Sequence, residues 1–304
     1  MDKNYIYKKL LEIVDEKDIK MDEPMSKHTT LRVGGPADIF VRPKSEEEIS
    51  QIIKLLISEN IPYEIVGNGS NLLVRDGGIR GVVIEIANNF NEYKIEENII
   101  HLQAGTILAV IGQATLREEL AGFEFAAGIP GTVGGAMAMN AGAHGGEMKD
   151  IVTSVRLMDT DGNIFEYTNE DMKFEYRNSI LSTVNHIVLG ATIKLKPGKK
   201  EEIKAKMDEY KHSRQTNQPL NKPNAGSTFK RPVGLIAAKL IDEAGLKGLT
   251  LRGAQVSDKH AGFVVNLGDA TAKDMLELMS IIKTVVYTKF KVMLEEEVRI
   301  LGED

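Results

Sequence analysis

Between Gly128 and Met148 the chain reads GIPGTVGGAMAMNAGAHGGEM, seven glycines in 21 residues, where the whole-chain share of 28 in 304 would supply about two. Glycine admits positive φ and lets backbone amides approach a ligand with no Cβ in the way, which suits a pyrophosphate or the edge of a ring. Charge is absent until Glu147. A flexible linker is also glycine-rich, but linkers favour Ser, Pro and charge, whereas this run carries Ile129, Val133, Met137 and Met139. The backbone of this stretch is therefore read as a functional surface.

A second glycine loop, GNGSN at 67–71, lies about 60 residues earlier and also follows apolar, strand-like sequence. Together the two suggest one nucleotide held between two lobes. Neither is a standard fingerprint: the first lacks the third Rossmann glycine, and no Lys-Ser/Thr follows either as in a P-loop. Taken alone, GNGSN is equally a polar turn between strands.

Around these loops the pattern alternates strand and helix. Tyr7, Leu10, Leu11 and Val14 give residues 3–16 one apolar helical face. ADIFVRP reads as a strand, Ser45 with Glu48 opens a helix, and PYEIVGNGSNLLV returns as strand, loop, strand, an α/β unit with a parallel pair. GVVIEI and IIHLQA are further strands, and residues 107–120 a helix. VRLMDTDGNIFEYT is a hairpin turning at Asp161-Gly162, and HIVLGATIKLKP a further strand. From about Lys199 a charged helix marks a change of composition and the expected domain boundary. GLIAAKLIDEAG, stopped by Gly245, and Thr271 to Phe290 are helices, and VMLEEEVRIL a closing strand.

Composition narrows the function. At 42% hydrophobic the chain can bury one large core or two to three smaller ones. A net charge of -6 with both signs interspersed gives no footprint for nucleic acid or an anionic membrane. Without cysteine, disulfides, thiolate nucleophiles and thiolate-bound metals are excluded. The six histidines show no HxH or HExxH spacing, so no metal site is expected. The N-terminus lacks the zones of a signal peptide and no apolar run nears the roughly 18 residues of a membrane span, so a cytoplasmic protein is expected.

Three polar positions stand out, each with an ordinary alternative. YRNS at 176–179 carries Arg177, which in isolation reads as a surface arginine. NAGSTFKRP offers Ser227 beside Lys230 and Arg231; no GxSxG elbow surrounds it, and a turn hydroxyl explains it equally. In LEEEVRI, Glu295 and Glu297 should face one way and Glu296 the other, and such a run is usually a solvated face.

GNGSNLLV, GIPGTVGGAMAMNAGA, YRNS, NAGSTFKRP, GLKG, AQVSDKHAGFVVN and LEEEV occur in the order that resembles the UDP-N-acetylenolpyruvoylglucosamine reductase (MurB) family, over about residues 20–302. The short route from YRNS to the serine motif is similar to the compact type II form. The resemblance implies a mixed α+β protein: a two-lobed FAD-binding domain of the vanillyl-alcohol-oxidase type, lobe one at 1–88 and lobe two at 89–199, and a C-terminal α+β substrate domain at 200–304. It implies FAD as cofactor, NADPH as co-substrate and a UDP-N-acetylglucosamine enolpyruvyl ether as substrate, reduced to the lactyl ether in peptidoglycan precursor synthesis. A monomer is the default oligomeric state.

Residue by residue, the resemblance makes Arg177 the guanidinium on the substrate carboxylate, Ser227 the proton donor and Glu297 an acid sharing the developing charge. Charge on an enolate-like intermediate needs such donors, and a planar fork suits the carboxylate. FAD-binding positions implied are Val66, Gly67, Asn68, Gly69, Ser70, Asn71 and Leu72 at the pyrophosphate loop. In and after the central run they are Gly128, Ile129, Pro130, Gly131, Thr132, Gly134, Gly135, Asn140 and Gly142. Arg214, Asn224 and Lys230 are expected substrate contacts. Two positions depart from the family's pattern: Glu296 where proline is common, and Thr228 where an apolar or aromatic residue is commoner. A flavin oxidase of the same fold, or a non-catalytic nucleotide-binding module, would keep the glycine loops but has no reason to keep Arg177, Ser227 and Glu297 together.

Overall fold

The computed structural model describes all 304 residues, and the chain divides into two compact units. One comprises residues 1–21, 39–68 and 81–212; the other comprises 22–38, 69–80 and 213–304. The compact units change over after His212, and two short N-terminal excursions fold with the C-terminal residues. The reason lies in pairing that sequence order conceals: Leu72–Val74 forms a parallel pair with Arg299–Leu301, in the register Arg299 to Leu72.

In the first unit, helix α1 (Lys3–Leu10) is capped by Asp2, whose side chain accepts the Tyr5 N–H, and buries Ile6 and Leu10. It is shorter than its apolar pattern. After Leu10 the winding tightens to i→i−3 bonds, Glu12 N–H to Lys9 O and Ile13 N–H to Leu10 O, which still leave Val14 buried. Helix α2 (Glu46–Ser58) starts as expected, Ser45 Oγ accepting the Glu48 N–H. Its Ile49, Ile52, Ile53 and Leu56 are fully buried, each stabilising by about 2 kcal/mol. The strand that follows, Tyr63–Val66, pairs in parallel with Ile79–Glu85, which lies between it and Pro36–Val41, so the two strands flanking α2 share a sheet without being neighbours. The sheet order is Ile19–Pro24, Pro36–Val41, Ile79–Glu85, Tyr63–Val66.

A second, antiparallel sheet of five strands runs in the order Ile164–Thr168, Val152–Met158, Ile187–Lys194, Ile99–Gln103, Tyr93–Glu96. Asp161-Gly162 turns its outer hairpin, Gly162 at φ 83. Helix α3 (Leu108–Arg117) and the short helix α4 (Val133–Ala138) bury Leu108, Ile111, Val133 and Met137 in the same core as α2. Helix α5 (Lys200–Asn217) begins in this unit and buries only Ile203 completely.

The second unit has its own core. Helix α6 (Ala237–Glu243) is shorter than GLIAAKLIDEAG suggests, for Gly234, Leu235 and Ile236 precede it and are exposed, while Gly245 at φ 80 follows its end. Helix α7 (Ala272–Phe290) is capped by Thr271 with Asp274 in a reciprocal capping box, and Asp76 carboxylate oxygens accept its Ala272 and Lys273 N–H groups. A three-stranded antiparallel sheet, Thr250–Leu251, Ala254–Val256 and Val264–Asn266, packs against α7. The expected closing strand over 292–301 is regular only at Arg299–Leu301. Before that the chain makes a single bridge, Phe229 to Glu296. No helix is long and apolar enough to cross a membrane.

Candidate active site

In the first unit the two glycine loops touch. A Cβ on Gly67 would lie 2.4 Å from Thr132 Oγ1, so the loop after Tyr63–Val66 is glycine there because the central run passes against it. The central run is itself fixed along residues 104–108. Leu108 N–H donates to Gly131 O, Val133 N–H to Thr106 O and Gly134 N–H to Ala104 O, and Thr132 Oγ1 caps α4 on the Gly135 N–H. These bonds leave the Gly131 and Thr132 amides without a protein acceptor.

The chain continues from Gly67 through five amides, Gly67 to Asn71, none of which donates to a protein acceptor. Gly69 is buried, at φ 61, and its missing Cβ would meet His28 O at 1.9 Å. A buried backbone donor without a partner is costly unless a ligand completes it. Consecutive free amides are the donor set a diphosphate requires, and the closeness that only glycine permits suits a bulky nucleotide, so these residues fit FAD.

Arg177 also belongs to the first unit. It occupies a two-residue turn closed by Glu175 N–H to Asn178 O (3.1 Å) and Asn178 N–H to Glu175 O (3.3 Å), with φ 54. Its Nη2 donates to Gly142 O at 3.1 Å and its guanidinium lies 5.2 Å from the Tyr176 ring. A left-handed arginine is strained by about 1–2 kcal/mol, a cost that Arg32 and Arg252 also carry. Asn140, expected at the cofactor, is fully buried and its amide is bonded within the protein, to Glu147, Glu175 and Lys149.

Ser227 and Glu297 lie together in the second unit. Gly226, at φ 77, turns the chain, and Asn224 Oδ1 accepts its N–H at 3.0 Å. Thr228 N–H then donates to Gly262 O, while Thr228 O accepts the Glu297 N–H and Lys230 N–H donates to Glu295 O, each at 2.9 Å. This antiparallel register sets Thr228 opposite Glu297, so Ser227 lies one residue along the chain from the position that faces Glu297. The Ser227 hydroxyl is partly exposed and has no protein partner. The departures from the family's pattern both acquire reasons. Thr228 is buried and its Oγ1 accepts the Val264 N–H at 3.0 Å, a bond no apolar residue could make. Glu296 pairs with Lys283 of α7 at 2.7 Å, and although burial raises its pKa, the lysine bond and charge outweigh it and hold the carboxyl below its usual range.

Two loops meet here through Thr30, which sequence reasoning missed, and through Asn71, which it placed at the cofactor loop. Thr30 N–H donates to Gly69 O and its Oγ1 to Asn224 O at 2.7 Å, tying GNGSN to the serine turn. No motif surrounds Thr30. Asn71 Nδ2 donates to Glu297 O and Asn71 O accepts the Arg299 N–H, both at 2.9 Å. Of the expected substrate contacts, Asn224 has its amide bonded to Pro219 O, Lys222 O and Gly226 N–H, so it shapes the turn. Lys230 reaches Glu295 at 3.5 Å. Arg214 in the last turn of α5 is half-buried with no carboxylate partner, and burial lowers its pKa. The next residue, Gln215, lines a polar cavity of about 370 Å³ with Gln218, Lys222, Ser257 and Lys259. No group of three or more His, Asp or Glu could hold a metal ion.

Comparison with known proteins agrees with this division of labour. A model of the FAD binding domain matches residues 37–168, and one of the UDP-N-acetylenolpyruvoylglucosamine reductase C-terminal domain matches residues 218–301. The UDP-N-acetylenolpyruvoylglucosamine reductase of Clostridioides difficile strain 630 is 61% identical over the whole of both chains. That of Caldanaerobacter subterraneus is 50% identical over 97% of each. The crystal structure of UDP-N-acetylenolpyruvylglucosamine reductase from Thermus caldophilus matches 94% of this chain and 98% of its own, with a TM-score of 0.80 at 38% identity. With full-length relatives at this identity, and glycine loops, arginine turn and serine turn as described, the chain belongs to the UDP-N-acetylenolpyruvoylglucosamine reductase family.

Proposed function

We propose that this FAD-dependent oxidoreductase reduces the enolpyruvyl ether of UDP-N-acetylglucosamine to the lactyl ether at the expense of NADPH, a step in peptidoglycan precursor synthesis. The lobes at 1–88 and 89–199, the substrate domain at 200–304, a monomer and a cytoplasmic setting go with this reading. The observation that carries it is the Ser227 hydroxyl, which has no protein partner and sits next to Thr228, whose carbonyl accepts the Glu297 N–H.

Bound FAD supplies hydride transfer from NADPH to the terminal vinyl carbon of the substrate. The amides of Gly67 to Asn71 would hold its diphosphate, and the segment from Gly128 to Gly135 would contribute the rest of its site. When the new C–H bond forms, the vinyl π pair moves onto the adjacent carbon and its carboxylate. Arg177 binds that carboxylate through its fork, and Glu297, if protonated, shares the charge by donating a hydrogen bond. Ser227 Oγ–H then gives its proton to the carbanionic carbon, and its oxygen recovers a proton from water. In sum, NADPH and one proton are consumed and the double bond is saturated. Arg214 and Lys230 supply positive charge for the substrate's anionic groups, and Asn224 acts by shaping the serine turn.

The test is the visible spectrum under anaerobic conditions, before and after NADPH and again after the UDP-enolpyruvyl sugar. Bleaching by NADPH and recolouring by the sugar are expected, and Ser227→Ala should slow only the recolouring, by about 10²–10⁴-fold. Recolouring by air alone, or equal slowing of both steps, would overturn the reading.

A further inference from the structure

The turn that displays Arg177 is not self-supporting. Its two cross-turn bonds are short-range, and the arginine's left-handed φ of 54 works against them. What holds the turn from outside is Asn140. The side chain is fully buried, and each of its polar sites is filled. One Nδ2 hydrogen goes to Glu175 O at 3.0 Å, inside the turn; the other goes to Glu147 Oε2 at 2.9 Å; Oδ1 accepts the Lys149 N–H at 3.0 Å. The same short hairpin, Gly142–Ala143 against Gly146–Glu147, supplies the Gly142 carbonyl that takes the arginine's Nη2. One amide thus links the turn's backbone to the hairpin that grips the turn's side chain.

The residue type is required by this geometry. Two donors and one acceptor in one plane are what a carboxamide offers. Aspartate at 140 would set its carboxylate against the Glu147 carboxylate and the Glu175 carbonyl, and alanine would strand three buried groups. The charge of Glu147 adds a second hold. Its pKa is lowered first by the Lys149 bond and then by the Asn140 bond, with the Arg177 charge also contributing, so it stays ionised and attracts the guanidinium.

We propose that Asn140 is a positioning residue for Arg177, acting through the Glu175 carbonyl and the Glu147 carboxylate, and not a contact to the cofactor. This rests on Arg177 binding the substrate carboxylate. It predicts a selective defect, because displacing a substrate-binding group by about 1 Å can cost on the order of 10²-fold. Asn140→Ala should retain FAD and reduction by NADPH at the wild-type rate, bind the UDP-enolpyruvyl sugar at least tenfold more weakly by calorimetry on the oxidised protein, and slow reoxidation by the sugar about 10–100-fold.

The decisive measurement is the double variant. If Asn140 acts through Arg177, adding Asn140→Ala to Arg177→Ala produces no further loss of sugar affinity or reoxidation rate. Independent, multiplying losses would overturn the proposal, as would loss of bound FAD or slowed reduction by NADPH in Asn140→Ala. Should Asn140→Ala fail to fold, Glu147→Gln tests the same link, with a several-fold loss of sugar affinity that vanishes in the Arg177→Ala background. Wild-type sugar affinity and reoxidation in Arg177→Ala itself would instead reject the role of Arg177.

Discussion

The conformation of Arg177 makes an unusual stability prediction. At φ 54 a residue with a Cβ is strained by about 1–2 kcal/mol, whereas glycine is not. Arg177→Ala and Arg177→Gly both delete the bond to Gly142 O and the contact with the Tyr176 ring. The difference between them therefore isolates the backbone. Glycine relieves the strain in the folded state but enlarges the unfolded ensemble, which costs about 0.4–1 kcal/mol. The net expectation is that Arg177→Gly is more stable than Arg177→Ala by about 0.5–1 kcal/mol, contrary to the usual order at ordinary positions. Urea unfolding of the two variants, followed at a signal from the first unit, reads this as a midpoint shift at unchanged slope. Both variants should lose reoxidation by the UDP-sugar by about 10²–10³-fold, the scale of a missing charge-stabilising donor. A glycine variant no more stable than the alanine variant would refute the strain argument, and retained reoxidation would refute the functional reason for tolerating it.

Two further predictions follow from single contacts. Gly67→Ala places a methyl 2.4 Å from Thr132 Oγ1, so it should destabilise by about 1–3 kcal/mol and weaken FAD binding; Thr132→Ala in the same chain should restore stability, read by thermal unfolding and flavin retention. His260 is held below its ordinary pKa chiefly by burial, with its Nδ1 accepting the Gly262 N–H. The folded state then binds fewer protons than the unfolded one, so stability should be fully present above about pH 6.5 and fall as pH drops below it. His260→Gln should flatten that part of the profile, and an unchanged slope in urea unfolding from pH 7.5 to 5.5 would reject the assignment.

What could be read from sequence divides along a physical line. Local signals were legible: Ser45 and Thr271 cap helices as written, Asp161-Gly162 turns a hairpin, and the glycine loops meet. These depend on residues within one turn of one another, or on glycine's freedom. The N-terminal excursions into the second unit and the length of the closing strand were not legible, because Leu72–Val74 pairs with Arg299–Leu301 across most of the chain, and no periodicity encodes a partner. The same holds for Asn140, whose motif marks it as important while only the fold reveals that its amide points at Glu147 and Glu175. Thr228 and Glu296 looked like defects in a motif. Val264 and Lys283 show each to be half of a contact whose other half lies elsewhere in the chain.

In the second unit the end of the glycine loop and the Ser227 turn belong to one scaffold. Gly69 to Asn71 are bonded through Thr30 to the backbone of Asn224 and through Asn71 to the backbone of Glu297. Asn224 in turn fixes the glycine that precedes Ser227, and Glu297 is bonded to the residue that follows it. The path from the loop to the serine therefore approaches it from both sides, with no more than three hydrogen-bonded residues between. Every link is a backbone carbonyl or amide at one end, so side-chain substitution at Ser227 or Glu297 leaves the path intact. A proton donor must meet a carbon whose place is set by the hydride donor, and the tolerance for that meeting is a fraction of an ångström. Holding the glycine loop and Ser227 by the same few hydrogen bonds couples a shift of one to a shift of the other.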